Sequence, residues 1–369
     1  MQLMRKHFID NLRWMDVFLL IPYHAAQAFN TWGENNYICL PQSKAASSFI
    51  VFLSPFFMPL LFLLAGMSTR YALKKRTYTQ YICERFKRLI VPFVFGVLAL
   101  CPILSYIADA ANCGYSGSFL EHYRVFFTGW TDLTGYDGGF GVGQFWFLLY
   151  LFVISLVCIP VMALTKKYSD NTDKSGSVPF PVLCLMAVPL PLLYDLLSVG
   201  GKSFAQYTYV FLIGYYVLSD DTVIEKTAGY RYLCLAIGLT ASVINVYMFI
   251  WSGKDYGAAN VIAKAAAGWF MILALIGTGK SRLDCDSRVT RFMSQRSFAY
   301  FSLHFVWVVL FQYLLADAFG GSIVLLYMIP MLCAFAATFI CTEVFVRVPV
   351  LCFLTGTKPV HNKQREYNK

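Results

Sequence analysis

Apolar and polar residues do not alternate finely along this chain; they come in long blocks. Predominantly apolar runs fall at roughly 14–32, 46–69, 89–108, 144–164, 179–198, 203–219, 232–251, 258–278, 297–317 and 322–346. A run of about 20 such residues is what a helix needs to cross the hydrocarbon of a bilayer. In hydrocarbon every backbone polar group must be satisfied within its own segment, so these runs predict helices. The pattern predicts an all-α fold, a polytopic transmembrane helix bundle of about ten spans. Pro179, Pro181, Pro189 and Pro191 crowd the fifth run, which is expected to kink or break. No Gly/Ser linker or domain-sized tail interrupts the series. One membrane domain over residues 1–357 is expected, followed by a short basic tail, 358–369.

Composition narrows the classes further. Of the 369 residues, 58% are hydrophobic and 14% charged, against about 45–50% and 25% in soluble domains. That scarcity of charge excludes a soluble enzyme, a disordered chain and a collagen-like fibre. The net charge is +10, and its placement matters more than its sum. With the N-terminus inside, the inner segments take Arg5, Lys6 and Arg13, then Arg70, Lys74, Lys75, Arg76, Arg85, Lys87 and Arg88. Lys166, Lys167, Lys174, Lys226, Arg231, Lys280, Arg282, Arg288, Arg291 and Arg296 follow on the same side. Arg347, Lys358, Lys363, Arg365 and Lys369 close the series. The outer side keeps Lys44, Arg124, Lys202 and Lys254, with Lys264 inside the eighth run. By the positive-inside rule this partition predicts both termini in the cytoplasm. Basic residues divided among loops in this way form no nucleic-acid patch, so no nucleic-acid partner is expected. The first run carries Asp16, His24 and Gln27 and lacks a small-residue cleavage site, so a cleavable signal peptide is not expected.

The eleven cysteines contain no CxxC pair, so neither a zinc site nor a disulfide framework is expected. Most are read as small buried hydrophobes; only Cys39 and Cys113 fall in outer loops. The longest loop, about 109–143, mixes glycines with aromatics and suits a short interfacial helix near 118–128.

Ionisable residues inside a bilayer are costly and mark candidate functional sites. The first run reads IDNLRWMDVFLLIPYHAAQAF. On a straight helix Arg13 and His24 would share a face, about 16 Å apart along the axis, with His24 near mid-membrane. Asp16 lies within reach of Arg13 for pairing, and Pro22 is placed to bend the helix. In ICERFKRLIVPF, Arg85 and Arg88 fall three apart on one face. Two guanidiniums there suit a polyanion such as a phosphate, and equally an ordinary topogenic cluster. SFAYFSLHFVW sets Ser297, Tyr300 and His304 on one face of the ninth run, either lining a cavity or joining helices. GVGQFWFLLY opens the fourth run with Gln144 and Trp146, the latter also a natural interface anchor. Lys264, Asp195 and Glu343 are further polar intruders without a partner evident in the sequence. No P-loop, HExxH or GxSxG motif is present, and no metal site is expected.

Taken together these motifs resemble the acyltransferase-3 family of integral membrane acyltransferases, including its branch that succinylates periplasmic glucans. Asp10-Asn-Leu-Arg13 followed by His24 resembles the family's opening stretch. Arg85-Phe-Lys-Arg88 before Pro92 resembles its cytoplasmic Arg-x-x-Arg pair. FFMPLLFLLAGMSTRYALKKR, QFWFL and YFSLHF resemble its second-helix, Trp-Phe-Leu and late Tyr–Leu–His segments. Two departures stand out: Ala65 precedes Gly66 where many members have Ser, and Gln144 stands where His is often found. The resemblance implies a multi-pass protein of a bacterial plasma membrane. It would move an acyl group, acetyl or succinyl, from cytoplasmic acyl-CoA to a hydroxyl of an extracytoplasmic carbohydrate or lipid-linked glycan. No permanently bound cofactor is implied; acyl-CoA is the donor substrate. His24 would be the catalytic group, Arg13, Arg85 and Arg88 would hold the coenzyme, and Asp10, Gln144, Trp146, Tyr300 and His304 would orient or contact substrate. A transporter or flippase for an amphipathic anion would use the same polar residues without covalent chemistry. A purely structural membrane subunit is the third reading.

Overall fold

Pro22 decides how the first apolar run folds. Proline has no N–H for the carbonyl four residues back, and its ring crowds that carbonyl. In the computed structural model, which describes residues 6–171 and 178–359, the run accordingly forms two helices, α1 (His7–Phe18) and α2 (Leu20–Gln27). The break at Leu19 falls one residue after Phe18, the residue whose carbonyl Pro22 cannot serve.

The remaining elements follow the apolar runs. They are α3 (Lys44–Leu73), α4 (Tyr78–Cys113), α5 (Phe119–Thr128), α6 (Gly143–Thr165), α7 (Phe180–Leu185) and α8 (Pro189–Leu193). A two-residue antiparallel pair, β1 (Ser198–Val199) with β2 (Lys202–Ser203), precedes α9 (Phe204–Tyr216) and α10 (Asp221–Gly229). Then come α11 (Arg231–Trp251), α12 (Ala258–Arg282), α13 (Arg288–Leu315), α14 (Ile323–Phe345) and α15 (Pro349–Leu354). Seven of these, α3, α4, α6, α11, α12, α13 and α14, are long and apolar enough to cross a membrane. The other three apolar runs are helical but shorter: the first is split at Leu19, the fifth is broken as its prolines predict, and the sixth has 13 residues.

The chain packs as two units interleaved in sequence. One comprises Met1–Asp16, Ser43–Cys83 and Tyr150–Ser287; the other Val17–Gln42, Glu84–Leu149 and Arg288–Lys369. In the first unit, glycines set the crossing of α3 with α9. A Cβ on Gly66 of α3 would stand 2.0 Å from the Phe211 carbonyl oxygen of α9, and one on Gly214 would stand 2.2 Å from the Leu63 oxygen. Reciprocal small residues of this kind let two apolar helices touch backbone to backbone. Polar intruders here find local partners. Lys264 Nζ lies 2.7 Å from the Tyr194 hydroxyl and over its ring, and Trp269 Nε1 donates to the Leu183 carbonyl oxygen at 2.7 Å.

In the second unit α13 and α14 pack side by side, and α2 lies against both. Gln312 of α13 donates to the Ala25 carbonyl oxygen at 2.8 Å, and Tyr327 of α14 to that of Pro22 at 3.1 Å. Glu343 of α14, partnerless in the sequence, accepts from both Arg296 and Arg347. α4 contains π-helical turns at Phe86–Ile90, Gly96–Leu100 and Asp109–Cys113. Pro102 cannot serve the Leu98 carbonyl, which instead accepts from Tyr123 of α5 at 2.9 Å. The expected short helix near 118–128 is α5, opened by a Ser118–Glu121 capping box. The rest of the loop is tied down as well. Asn112 donates to the carbonyl oxygens of Asn36 and Tyr136, Tyr37 to that of Thr134, and Trp130 stacks on Phe140. All eleven cysteines are free thiols; Cys101, Cys158, Cys234 and Cys352 are buried, whereas Cys83 and Cys285, like Cys39 and Cys113, are exposed. Placing most of them in the core overstated their burial, because Cys83 and Cys285 sit in the polar segments that flank the spans. Of the tail, Lys363, Arg365 and Lys369 lie outside the described residues, as do Arg5 and Lys174.

Candidate functional site

The second unit gathers several of the sequence-flagged polar residues. His24, on α2, faces His304, on α13, with ring centroids 5.3 Å apart and planes tilted by 34°. Phe305 lies against His24 at 4.1 Å, and Tyr23 meets it edge-on at 5.5 Å. Tyr300, one helical turn before His304, stacks on Phe18 at 4.4 Å. Gln144, in the first turn of α6, donates to the Ser302 carbonyl oxygen at 3.1 Å. The Ser297–Tyr300–His304 face is buried throughout.

Hydrogen bonding at these residues is incomplete. Among the described residues, His24 Nδ1, Gln144 Oε1, the Tyr300 hydroxyl and His304 Nε2 are buried and have no partner. Buried polar atoms are nearly always paired, and leaving one unpaired costs about 1–3 kcal/mol. Four such atoms fall on residues already singled out by their chemistry, which makes this polar cluster the candidate site. Two of them are imidazole nitrogens, the group best suited to moving a proton near neutral pH. Among the described residues, no group of three or more His, Cys, Asp or Glu side chains converges as a metal site.

The basic candidates sit differently. Arg13 belongs to the first unit, where its guanidinium donates to Asp10 Oδ1 at 3.1 Å and to Ser68 Oγ at 2.9 Å. It therefore pairs with Asp10, one turn earlier, rather than with Asp16, whose Oδ2 is buried and unpartnered. The helix break at Leu19 separates Arg13 from His24, so the straight-helix alignment of the two does not extend across it. Arg85 ends a regular helix, and the π-helical turn over Phe86–Ile90 carries Arg88. Residues three apart across such a wide turn are splayed more than on an α-helix. Arg85 is half-buried and Arg88 exposed, while Trp146, in the first turn of α6, is half-buried.

Sequence reasoning did not single out Gln312 and Tyr327, which hold the His24-bearing helix in place. The signal for Gln312 was available: it is a lone amide within FVWVVLFQYLL. Nothing local marks Tyr327, because an interfacial tyrosine near a span's end is common. Near the loop, burial drives the Tyr37 hydroxyl well above the ordinary tyrosine range, reinforced by neighbouring Tyr136, itself pushed up to about 12 chiefly by burial. Both are protonated donors at any physiological pH.

Spanning-length apolar helices together with two facing histidines, His304 buried and His24 half-buried, define a multi-pass membrane protein with an internal polar site. The chain belongs to the acyltransferase-3 family: residues 6–347 match the family described as "Acyltransferase domain", a stretch that runs through both units. It is therefore an acyltransferase that transfers groups other than amino-acyl groups. It is similar to proteins named "Glucans biosynthesis protein C" from Escherichia coli SMS-3-5, K12 and O157:H7. Each is 22% identical over 98% of this chain and 97% of the relative. No solved structure matches the chain.

Proposed function

We propose that this enzyme transfers an acetyl or succinyl group from cytoplasmic acyl-CoA to a hydroxyl of an extracytoplasmic carbohydrate or glycolipid. It would do so from a bacterial plasma membrane, as a ten-span protein with both termini inside. The observation that carries this reading is the His24 site: two facing imidazoles whose His24 Nδ1 and His304 Nε2 are buried without a partner among the described residues, in a chain of the acyltransferase family. Its relatives' name points to a glucan as acceptor class.

In this reading His24 is the general base. The acceptor oxygen bonds to the thioester carbonyl carbon as His24 takes its proton; the C–S bond breaks and the sulfur leaves with the electron pair. The proton then passes to the departing thiolate. General-base assistance of this kind is worth about 10²–10⁴-fold in rate. Arg85, Arg88 and Arg13 supply the positive charge that a coenzyme polyanion requires, with Asp10 orienting Arg13. Gln144, Trp146 and Tyr300 contact substrate.

Mass analysis of cell-envelope carbohydrates from a strain lacking the gene tests the reading and identifies both group and acceptor. Loss of one acyl ester, restored by the wild-type gene and not by His24→Ala, is the expected result. Unchanged acylation together with loss of an exported anion would replace the enzyme with a transporter. Arg85→Ala and Arg88→Ala should each raise KM for the donor about tenfold with kcat little changed, the loss of one charge-assisted contact. Unchanged donor affinity would return these residues to topogenic charges.

A further inference from the structure

His304 is fully buried, and its Nδ1 lies 2.8 Å from the Phe301 carbonyl oxygen. A carbonyl only accepts, so Nδ1 carries the proton of the neutral ring and Nε2 presents a lone pair. That lone pair is buried without a donor, and so is Nδ1 of the neighbouring His24, whose ring also hydrogen-bonds the Gln27 side chain. Two imidazoles joined by an N–H···N bond of ordinary length have centroids roughly 5 Å apart. The His24 and His304 rings, at 5.3 Å, already stand at that separation; a turn of the His24 ring alone would form the bond while His304 keeps its Phe301 contact.

We infer that His304 is a positioning residue for acyl transfer: its Nε2 accepts the Nδ1–H of His24 and holds that ring with a lone pair on Nε2. The chain runs from the Phe301 carbonyl, through His304, to His24 and then to the acceptor hydroxyl. The inference rests on His24 being the base. During transfer the acceptor's proton moves to His24 Nε2 as the new C–O bond forms. When the C–S bond breaks, the thiolate takes that proton back. His304 gains and loses none; it holds the tautomer and spreads the charge of the transient imidazolium. An orienting partner does this work in hydrolase triads, where it is a carboxylate. A neutral imidazole anchored on a backbone carbonyl does it here without burying a permanent charge, which apolar surroundings would penalise. Phe305 and the Tyr300–Phe18 stack provide such surroundings.

Three substitutions separate this role from packing. His304→Gln places an amide oxygen where Nε2 stands, whereas His304→Asn reaches only the position of Nδ1 and His304→Leu supplies no acceptor. With purified protein, kcat should stay within about tenfold of wild type in His304→Gln and fall about 100-fold in the other two. KM for acyl-CoA should stay within about threefold throughout. An unimpaired His304→Leu, or a His304→Gln as damaged as His304→Leu, would overturn the inference. Nitrogen-15 spectra of histidine-labelled wild type give a readout independent of turnover and of any variant's folding. His24 and His304 should both show protonated Nδ1; a His24 protonated on Nε2 contradicts the relay. If His24→Ala is inactive while His304→Leu keeps full activity, the relay fails and the base survives. A fully active His24→Ala overturns both.

Discussion

A buried polar side chain in an apolar chain is informative because it has few ways to be satisfied. Glu343 illustrates the ordinary outcome: it accepts from Arg296, itself almost fully buried, and from Arg347. Removing one member of a buried pair strands the other charge at a cost of about 3–5 kcal/mol. Glu343→Leu should therefore lower the thermal midpoint in detergent by several degrees, and adding Arg296→Met should restore much of it. A double variant as unstable as the single would show that the pair is not what Glu343 contributes. The His24 site is the other outcome, where His24 Nδ1, His304 Nε2, the Tyr300 hydroxyl and Gln144 Oε1 are left without a partner among the described residues. His24, His304, Tyr300 and Gln144 were all legible as polar residues in apolar runs. Their mutual proximity was not, because it depends on how residues nearly 300 positions apart are brought together, which no local pattern encodes. The pairing of Arg13 was misread for a simpler reason. Asp10 and Asp16 both lie one turn away, and the sequence alone does not choose between them.

At the scale of elements, prolines and glycines govern departures from regular helix. Pro22 splits the first run, and Pro102 frees the Leu98 carbonyl that anchors α5 through Tyr123. Gly66 and Gly214 permit the α3–α9 crossing. A Cβ at Gly66 meets backbone rather than a yielding side chain, so Gly66→Ala should cost about 1–3 kcal/mol and loosen that crossing. Thermal unfolding measures this, and an unchanged midpoint would mean that the helices do not meet there. α5 should be sensitive to acid. Hydrogen bonds from the Ser118 backbone and hydroxyl hold the Glu121 carboxyl below its ordinary range, so its capping contribution is present above about pH 4. It is lost as pH falls through the lowered native value. Burial holds His122 below the ordinary histidine range, outweighing Asp109, whose Oδ2 is 3.1 Å from Nε2. The unfolded state thus binds the extra proton first, and stability declines as pH drops below about 6.5. Amide exchange in α5 should quicken in two stages on acidification; exchange independent of pH, after correction for intrinsic rates, would contradict this.

For the whole molecule, block-wise hydropathy located seven spanning-length helices and the broken character of the fifth run. Run one folds as two helices that part at Leu19, and run six as a single helix of 13 residues. The division into two interleaved units could not be read from sequence, because apolar runs look alike whichever neighbour they pack against. Cysteine accessibility at engineered sites before α1 and after α15 tests the proposed topology: both should react only from the cytoplasmic side. Reaction at opposite sides would require an odd number of crossings and remove the ten-span arrangement.

The central claim, a membrane acyltransferase working through His24, is tested most directly by acyl transfer from labelled acetyl- or succinyl-CoA. Purified protein in liposomes, given a glucan acceptor, should release free CoA thiol and ester-linked acyl glucan in equal amounts. His24→Ala should lower that rate at least 100-fold with the fold intact. Equal rates for wild type and His24→Ala would contradict the account.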